Sequence, residues 1–180
     1  ALIEDARRVW TDLGGRPQHI VDLRSHDANA DLRARDGILF STYATLRNQG
    51  SQSKRSRLEQ VLEYLGDDFD GVIIFDEAHA MGSATEIDGF IGKGQASLTG
   101  LTGLRLQNAV PNARVIYASA TGASHVHNIA YATRLGLWGC AQTPFDTRAA
   151  CLSNIDSGGP AALELLVREL SQREQIKQQG

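Results

Sequence analysis

Several residue types are scarce in this 180-residue sequence, and each shortage excludes a class of protein. The chain has two cysteines, four prolines and one methionine. Cys140 and Cys151 cannot build a disulfide-rich scaffold and lack metal-ligand spacing, so we interpret both as small apolar residues in a reducing, intracellular setting. Hydrophobic residues make up 42% and charged residues 22% of the chain. These proportions are typical of one globular domain, not of a disordered or collagen-like chain.

Long apolar runs and an excess of positive charge are also missing. The longest stretch without an acidic or basic residue, Val115 to Thr133, contains hydroxyl, His and Asn side chains, so we expect no membrane span and no membrane partner. The net charge is −3, whereas a protein that binds nucleic acid through bulk charge is basic. The Arg- and Ala-rich composition suggests a bacterial or phage source, and for such a source we expect a cytoplasmic protein.

The sequence lacks an initiator methionine and a phosphate-binding motif. Helical periodicity begins at Leu2 and runs to Leu13, so we interpret the chain as an excised fragment. The string G-x-x-x-x-G-K-[ST], whose backbone binds phosphate, does not occur. The nearest match, Gly89 to Gly94, has Gly94 where Ser or Thr is required and lies after the acidic strand described below. We expect a flexible loop there.

Strand-like and helix-like segments alternate along the rest of the chain, which predicts an α/β fold with a mainly parallel sheet. Short apolar runs predict strands at His19–Leu23, Ile38–Thr42, Gly71–Phe75 and Arg114–Ala118. Amphipathic periodicity predicts helices over Leu58–Leu65, Leu98–Ala109, Ser124–Leu135 and from Pro160 onward, with a loop over Trp138–Gly159. The continuous apolar run at 71–75 predicts a strand covered on both faces.

Two adjacent acids, Asp76 and Glu77, directly follow the apolar run at 71–75. Parallel sheets bind ligands at the carboxyl ends of their strands, and neighbouring carboxylates are costly there unless a cation or water serves them. An Asp in this position can hold hydrated Mg²⁺, and the next Glu can orient and deprotonate a water. The alternative is a strand that ends in a solvated acidic turn.

Ser119 and Thr121 follow the apolar run at 114–118. Their hydroxyls can hydrogen-bond to the end of the acidic strand if the two strands are neighbours. Taken alone, the Ser-Ala-Thr string is also typical of a strand-to-helix turn with capping hydroxyls. The order and spacing of the acidic pair and the hydroxyl pair are more specific than either feature alone.

Together these residues resemble a known family. DEAH at Asp76–His79, followed by SAT at Ser119–Thr121, looks like the Walker B and coupling motifs in the first motor domain of a superfamily-two helicase. Four longer strings are similar to the Strawberry-notch-type helicase-like NTPases: GILFSTYATLR, FDEAHAMGSA, PNARVIYASATGASHVHNIAYATRLGLWG and GGPAALELLVREL. The resemblance implies a RecA-like (P-loop NTPase) three-layer sandwich. Residues 1–180 would form a partial first motor domain without its first strand, its phosphate loop (Walker A) and the second motor domain.

The resemblance also implies ATP and Mg²⁺ as cofactors and assigns roles in the longer protein. Asp76 would hold Mg²⁺ through water, and Glu77 would polarise the attacking water. His79 would link the nucleotide site to the coupling residues Ser119 and Thr121.

Contacts with a DNA or RNA backbone are implied for Thr42, Tyr43 and Arg47. Arg47 also belongs to a basic cluster with Lys54, Arg55 and Arg57. From the residues alone this cluster is either a solvated loop or a phosphate-binding patch, and the two interpretations stay open.

The sequence therefore predicts a fragment of an ATP-dependent helicase-like NTPase that couples hydrolysis to nucleic-acid translocation or remodelling. We expect the fragment alone to be inactive, because the missing loop normally holds the phosphates. One alternative is a non-catalytic, helicase-shaped regulatory or interaction module; another is the ATPase part of a methylase-linked bacterial or phage system. A missing strand would also expose a sheet edge beside Arg114–Ala118, where a second copy can pair.

Overall fold

The computed structural model of the chain describes residues 2–32, 37–82, 97–119, 130–140 and 143–172. The chain divides into two compact units, residues 1–69 and residues 70–180. In the described part of the chain, no helix combines the length and the apolar character needed to cross a membrane.

The described residues of the first unit form α-helices and a pair of parallel strands. Strand β1 pairs with β2 in parallel, with Ile20 opposite Ile38. Both predicted strands are present but shorter than the sequence predicted. The elements in chain order are α1 (Leu2–Asp12), β1 (Ile20–Asp22), β2 (Ile38–Phe40), α2 (Tyr43–Leu46) and α3 (Arg57–Leu65).

The start of α3 is fixed by a reciprocal cap. The Ser56 hydroxyl accepts from the Glu59 backbone, and the Glu59 carboxylate accepts from the Ser56 backbone. This capping box satisfies two of the amides that a helix start leaves without intrahelical partners. Gly66, at φ 78°, ends the helix.

The second unit contains the other parallel pair. Strand β3 pairs with β4 from Val72 opposite Arg114 to Phe75 opposite Tyr117, so the prediction of parallel strands is confirmed for both pairs. A 3-10 turn over Ala78–Met81 follows β3. The elements are β3 (Val72–Phe75), α4 (Leu98–Ala109), β4 (Arg114–Tyr117) and α5 (Arg148–Gln172).

The prediction that the run at 71–75 is covered on both faces is wrong. Phe75 is 4% exposed, whereas Val72 is 50% and Ile74 63% exposed. The buried side of the strand lies against α4, because a Cβ placed on Gly103 would stand 3.8 Å from the Phe75 ring. A run made only of apolar residues does not reveal which of its two faces is covered.

Helix α5 corrects the predicted loop over Trp138–Gly159. The helix begins at Arg148, and Gly159, at φ 63° and ψ −157°, divides it into two helical segments. The first segment buries Cys151, Leu152 and Ile155 in a cluster with Ala130 and Leu137. The helix was missed because polar residues and a glycine pair obscure this apolar spacing. The second segment, from Pro160, agrees with the prediction.

Only residues 130–135 of the predicted helix over Ser124–Leu135 can be compared with the structure. Its first residues lie outside the described part of the chain. Residues 130–135 form turns and not a helix. Turn hydrogen bonds run from Thr133 N to Tyr131 O and from Leu135 N to Ala132 O.

Candidate functional site

The carboxyl ends of β3 and β4 are joined by an irregular step in the strand ladder. Ala118 donates its N–H to Phe75 O at 2.9 Å, as a regular parallel pair requires. The next bond in a regular ladder would run from Glu77 N to Ala118 O. Instead, Ala78 N donates to Ala118 O at 2.8 Å. One extra residue is therefore inserted after β3, which makes this step a β-bulge.

Glu77 is the residue that forms the bulge. Its backbone is left-handed, at φ 48° and ψ 48°, and it is the one non-glycine residue with positive φ among the described residues. Its displaced N–H donates to Asp76 Oδ1 at 3.1 Å. Bulges redirect side chains at the ends of strands, and both acids are exposed here.

The 3-10 turn over 78–81 brings His79 against the end of β4. His79 Nδ1 lies 3.1 Å from Ser119 Oγ and 3.3 Å from Glu77 Oε2. An ionised carboxylate can only accept, so a hydrogen bond to Glu77 requires the proton on Nδ1. The structure thus brings three of the predicted residues together and places Asp76 next to them in the chain. Thr121 lies outside the described residues.

A glycine in α4, Gly103, packs closely against this turn. A Cβ on Gly103 would overlap the sulfur of Met81, the last residue of the turn, and Met81 is fully buried. The sequence analysis did not single out this pair. A glycine in the interior of a helix, where it costs about 1 kcal/mol relative to alanine, was the available signal.

Two stacked rings end the strand pair immediately before the site. The ring centroids of Phe75 and Tyr117 lie 5.9 Å apart, and the angle between the ring planes is 13°. The Tyr117 hydroxyl donates to Gln107 of α4, and burial raises the pKa of Tyr117 to about 12. Sequence reasoning missed this arrangement as well, because neither Gln107 nor Tyr117 belongs to a recognisable motif.

The residues predicted to contact nucleic acid share one helical turn in the first unit. Thr42 caps α2: its hydroxyl accepts from Thr45 N at 3.1 Å. Tyr43 begins the helix, and Arg47 N donates to Tyr43 O at 3.0 Å. All three therefore lie just after the carboxyl end of β2.

The basic cluster is engaged within the first unit. Lys54 pairs with Asp27 at 3.2 Å. Arg57 donates to the side-chain oxygen of Gln60 at 2.7 Å. Arg55 donates to two carbonyls of the loop after β1, those of Ala28 at 2.6 Å and Ala30 at 2.7 Å, and also pairs with Glu63. For Arg55, whose side chain is only 21% exposed, neither a solvated loop nor a phosphate patch describes this role.

The two cysteines and the other side chains that can ligate metals form no centre in the described part of the chain. No group of three or more His, Cys, Asp or Glu side chains with the geometry to hold a metal ion is found among the described residues. Cys151 is buried, and this burial raises the pKa of its thiol to about 11.

Parallel strands that carry adjacent acids at one carboxyl end and a hydroxyl residue at the next are typical of nucleoside triphosphatases of the P-loop class. The chain belongs to the P-loop containing NTP hydrolase pore-1 family, whose family model matches residues 1–175. It is a Strawberry-notch-type helicase-like domain with a partial α/β RecA-like fold, as the sequence predicted.

Named relatives agree with this assignment. The chain is 40% identical to Protein strawberry notch homolog 1 of Rattus norvegicus and 37% identical to Protein strawberry notch of Drosophila melanogaster. It is also 37% identical to Protein FORGETTER 1 of Arabidopsis thaliana. Each match covers 94% of this chain but only 10 to 14% of the relative's length. No solved structure matches the chain.

Proposed function

We propose that this chain is part of an ATP-hydrolysing motor in which the bulged end of β3 is the hydrolytic centre. The observation that supports the proposal best is the contact between His79 Nδ1 and Ser119 Oγ at 3.1 Å. It joins the acidic strand to the neighbouring strand within one short turn. A turn that carried solvated acids only for solubility would need no such link.

Glu77 is the proposed general base. The left-handed backbone exposes its carboxylate at the strand end, where it can orient a water toward the terminal phosphate. The water oxygen bonds to the γ-phosphorus as the bond to the β–γ bridging oxygen breaks, and Glu77 accepts the water proton. ADP and inorganic phosphate are the products.

Asp76 is the proposed partner of Mg²⁺. Mg²⁺ prefers oxygen ligands and commonly combines one or two carboxylates with waters and substrate phosphates, and the exposed Asp76 carboxylate supplies a donor of this kind. The bound ion would neutralise charge on the phosphates. Asp76 would hold it through water, and its Oδ1 also accepts the Glu77 amide and so fixes the bulge.

Coupling to nucleic acid is the finer part of the proposal. His79 would transmit the state of the nucleotide to Ser119 and to Thr121. Thr42, Tyr43 and Arg47, grouped at the end of β2, would contact the phosphate backbone of DNA or RNA. Hydroxyl, amide and guanidinium groups are those that proteins use for backbone contacts without sequence readout.

The test is nucleic-acid-stimulated ATP hydrolysis by the longer protein that contains these residues. Glu77→Gln should lower the rate by about 100-fold or more, since positioned acid–base groups contribute 10²–10⁴-fold. Asp70→Asn makes the same change of charge at an exposed acid outside the site and should leave the rate within about twofold. Full ATPase activity in Glu77→Gln would refute the assignment. Loss of ATPase with unchanged biological activity would favour the non-catalytic module.

The chain by itself provides a second test. Its 180 residues contain no G-x-x-x-x-G-K-[ST] string, so we expect calorimetry on this chain to detect no micromolar binding of ATP. Micromolar binding would show that this chain holds the phosphates by another route.

A further inference from the structure

The side chain of Gln107, in α4, is the centre of a buried hydrogen-bond network next to the strand pair. This residue is 0% exposed. The amide nitrogen donates to Gly103 O and Tyr131 O, both at 3.1 Å, and the amide oxygen accepts from the hydroxyls of Tyr117 and Thr133. All four hydrogen-bonding positions of the amide are thus occupied, and a buried group satisfied in this way has one preferred geometry.

Tyr117 connects this network to the site. It is the last residue of β4, it is opposite Phe75, and its ring stacks on the Phe75 ring. Two residues beyond Tyr117 lies Ser119, and one residue beyond Phe75 lies Asp76. The hydrogen-bonded hydroxyl therefore fixes the backbone position at the carboxyl end of β4, where the chain leaves the sheet.

On the side of β3, the end of β4 is held by the bulge. Ala118 bonds to Phe75 O and to Ala78 N, and Ser119 then reaches His79. Ser119 is exposed, so packing around its own side chain does little to set its position. The half-buried ring of Tyr117, one residue before Ala118, is a second anchor beside the buried Ala78, whose N–H donates to Ala118 O.

We propose that Tyr117 is a positioning residue whose hydroxyl, which donates to Gln107 and accepts from the backbone N–H of Arg134, sets the contact between Ser119 and His79. The Tyr117 ring packs against Phe75 at the strand ends, and the hydrogen bond of its hydroxyl fixes the position of the ring. Without that bond the ring can slide along Phe75, and Ser119 moves with the backbone. For its effect on turnover, this inference rests on the proposed function; the contact itself does not depend on it.

The test compares two substitutions that each remove one donor to the same oxygen of Gln107. Tyr117→Phe removes the hydroxyl on the site strand, and Thr133→Val removes the hydroxyl on the segment after it. Thr133→Val should cost about 1 kcal/mol of stability, and Tyr117→Phe about 1–2 kcal/mol, because it also removes the acceptor of the Arg134 N–H. The readout is the ¹⁵N NMR signal of His79 Nδ1 in the 180-residue chain, with Ser119→Ala as the reference for a broken contact.

We expect Tyr117→Phe to move the His79 signal toward its position in Ser119→Ala, and Thr133→Val to leave it unchanged. In the longer protein, Tyr117→Phe should lower kcat for ATP about threefold to tenfold with KM unchanged, as loss of the hydrogen bonds of this hydroxyl implies. If Tyr117→Phe does not fold, Gln107→Met, which keeps the volume and removes the acceptor, should give the same shift.

Three results would overturn the inference: equal shifts in Tyr117→Phe and Thr133→Val, no shift in Tyr117→Phe when Ser119→Ala shifts, or no shift in Ser119→Ala itself. A wild-type protein without ATPase activity would refute the proposed function instead. The NMR comparison would still decide whether Tyr117 positions Ser119.

Discussion

Gly103 of α4 packs directly on Met81, the residue that ends the turn carrying His79. A side chain at position 103 would overlap the Met81 sulfur, and Met81 has no exposed surface through which to move away. The absence of a Cβ at one helical position therefore determines how closely α4 approaches the site.

Gly103→Ala should lower the free energy of unfolding by about 1–3 kcal/mol, because overpacking a filled core forces side chains and backbone to shift. Helix propensity alone predicts the opposite sign, a gain of about 1 kcal/mol. Urea unfolding measures the difference. Asn108→Ala, at an exposed position of the same helix, is the control and should be neutral or slightly stabilising. A stabilised Gly103→Ala variant would contradict the packing.

Two substitutions at Glu77 test the left-handed backbone conformation of the bulge separately from its carboxylate. Glu77→Ala and Glu77→Gly remove the same carboxylate, but only glycine adopts a left-handed backbone without a steric cost. We expect the Gly variant to be more stable than the Ala variant by roughly 1 kcal/mol. In an ordinary helix or strand the order is reversed. Thermal unfolding of the pair decides between them, and an Ala variant of higher stability would argue against the left-handed conformation at 77.

Arg55 should be important for the stability of the first unit. Arg55→Ala removes the donor to the Ala28 carbonyl and one of two donors to the Ala30 carbonyl, which keeps its bond from Gln60, and we expect a loss of about 2 kcal/mol. Lys54→Ala breaks an ion pair whose two side chains are each 57% exposed, and because solvent screens such a pair it should leave stability nearly unchanged. Chemical denaturation, followed by a probe in residues 1–69, tests whether Arg55→Ala loses more stability than Lys54→Ala.

The two thiols should differ in reactivity. Burial raises the pKa of Cys151 to about 11 and excludes reagents, while Cys140 is partly exposed. Because the thiolate is the nucleophile, iodoacetamide at pH 8 should label Cys140 first and Cys151 only after unfolding. Mass spectrometry of the labelled peptides identifies the site. Early labelling of Cys151 would show that the cluster around α5 opens readily.

Alkaline pH should weaken the second unit through Tyr117. Its pKa is about 12 in the folded chain, raised by burial from an ordinary value of 10.0. The folded state therefore binds the phenolic proton more tightly than the unfolded state. The stability from this group is fully present below pH 10 and is lost as the pH rises toward 12. Denaturant unfolding at pH 9 and 11 measures the loss, and Tyr117→Phe should show a smaller one.

Much of the fold follows from local sequence signals. Helix α4 has the predicted bounds, Leu98 to Ala109, because Ser97 caps its start and Pro111 follows its end. The parallel strands follow from short apolar runs separated by helical segments. The first half of α5 could not be predicted, because its apolar residues Cys151, Leu152 and Ile155 are interspersed with turn-forming residues.

The site was only partly predictable. Sequence predicted that the acids, His79 and Ser119 lie together, since residues that end neighbouring parallel strands meet at one edge; their functional roles stay a prediction. It did not identify the bulge, because glutamate has no local preference for a left-handed backbone. A tertiary bond from Ala78 N to Ala118 O and a local bond from Glu77 N to Asp76 Oδ1 stabilise that conformation. Gly103 and Gln107 were missed for a related reason: each acts through residues distant in sequence.

The bend at Gly159 separates two parts of α5 that differ in how they are held. Hydrogen bonds within a helix form cooperatively only while the backbone stays helical, and residue 159 does not. The segment from Arg148 carries the fully buried side chains of the cluster, while the segment after the bend packs the partly buried Ala162 and Leu166 against it and presents Glu164 and Leu165 to solvent. Amide protons before the bend are thus expected to exchange with solvent water more slowly than those after it, and the two segments to open as separate units.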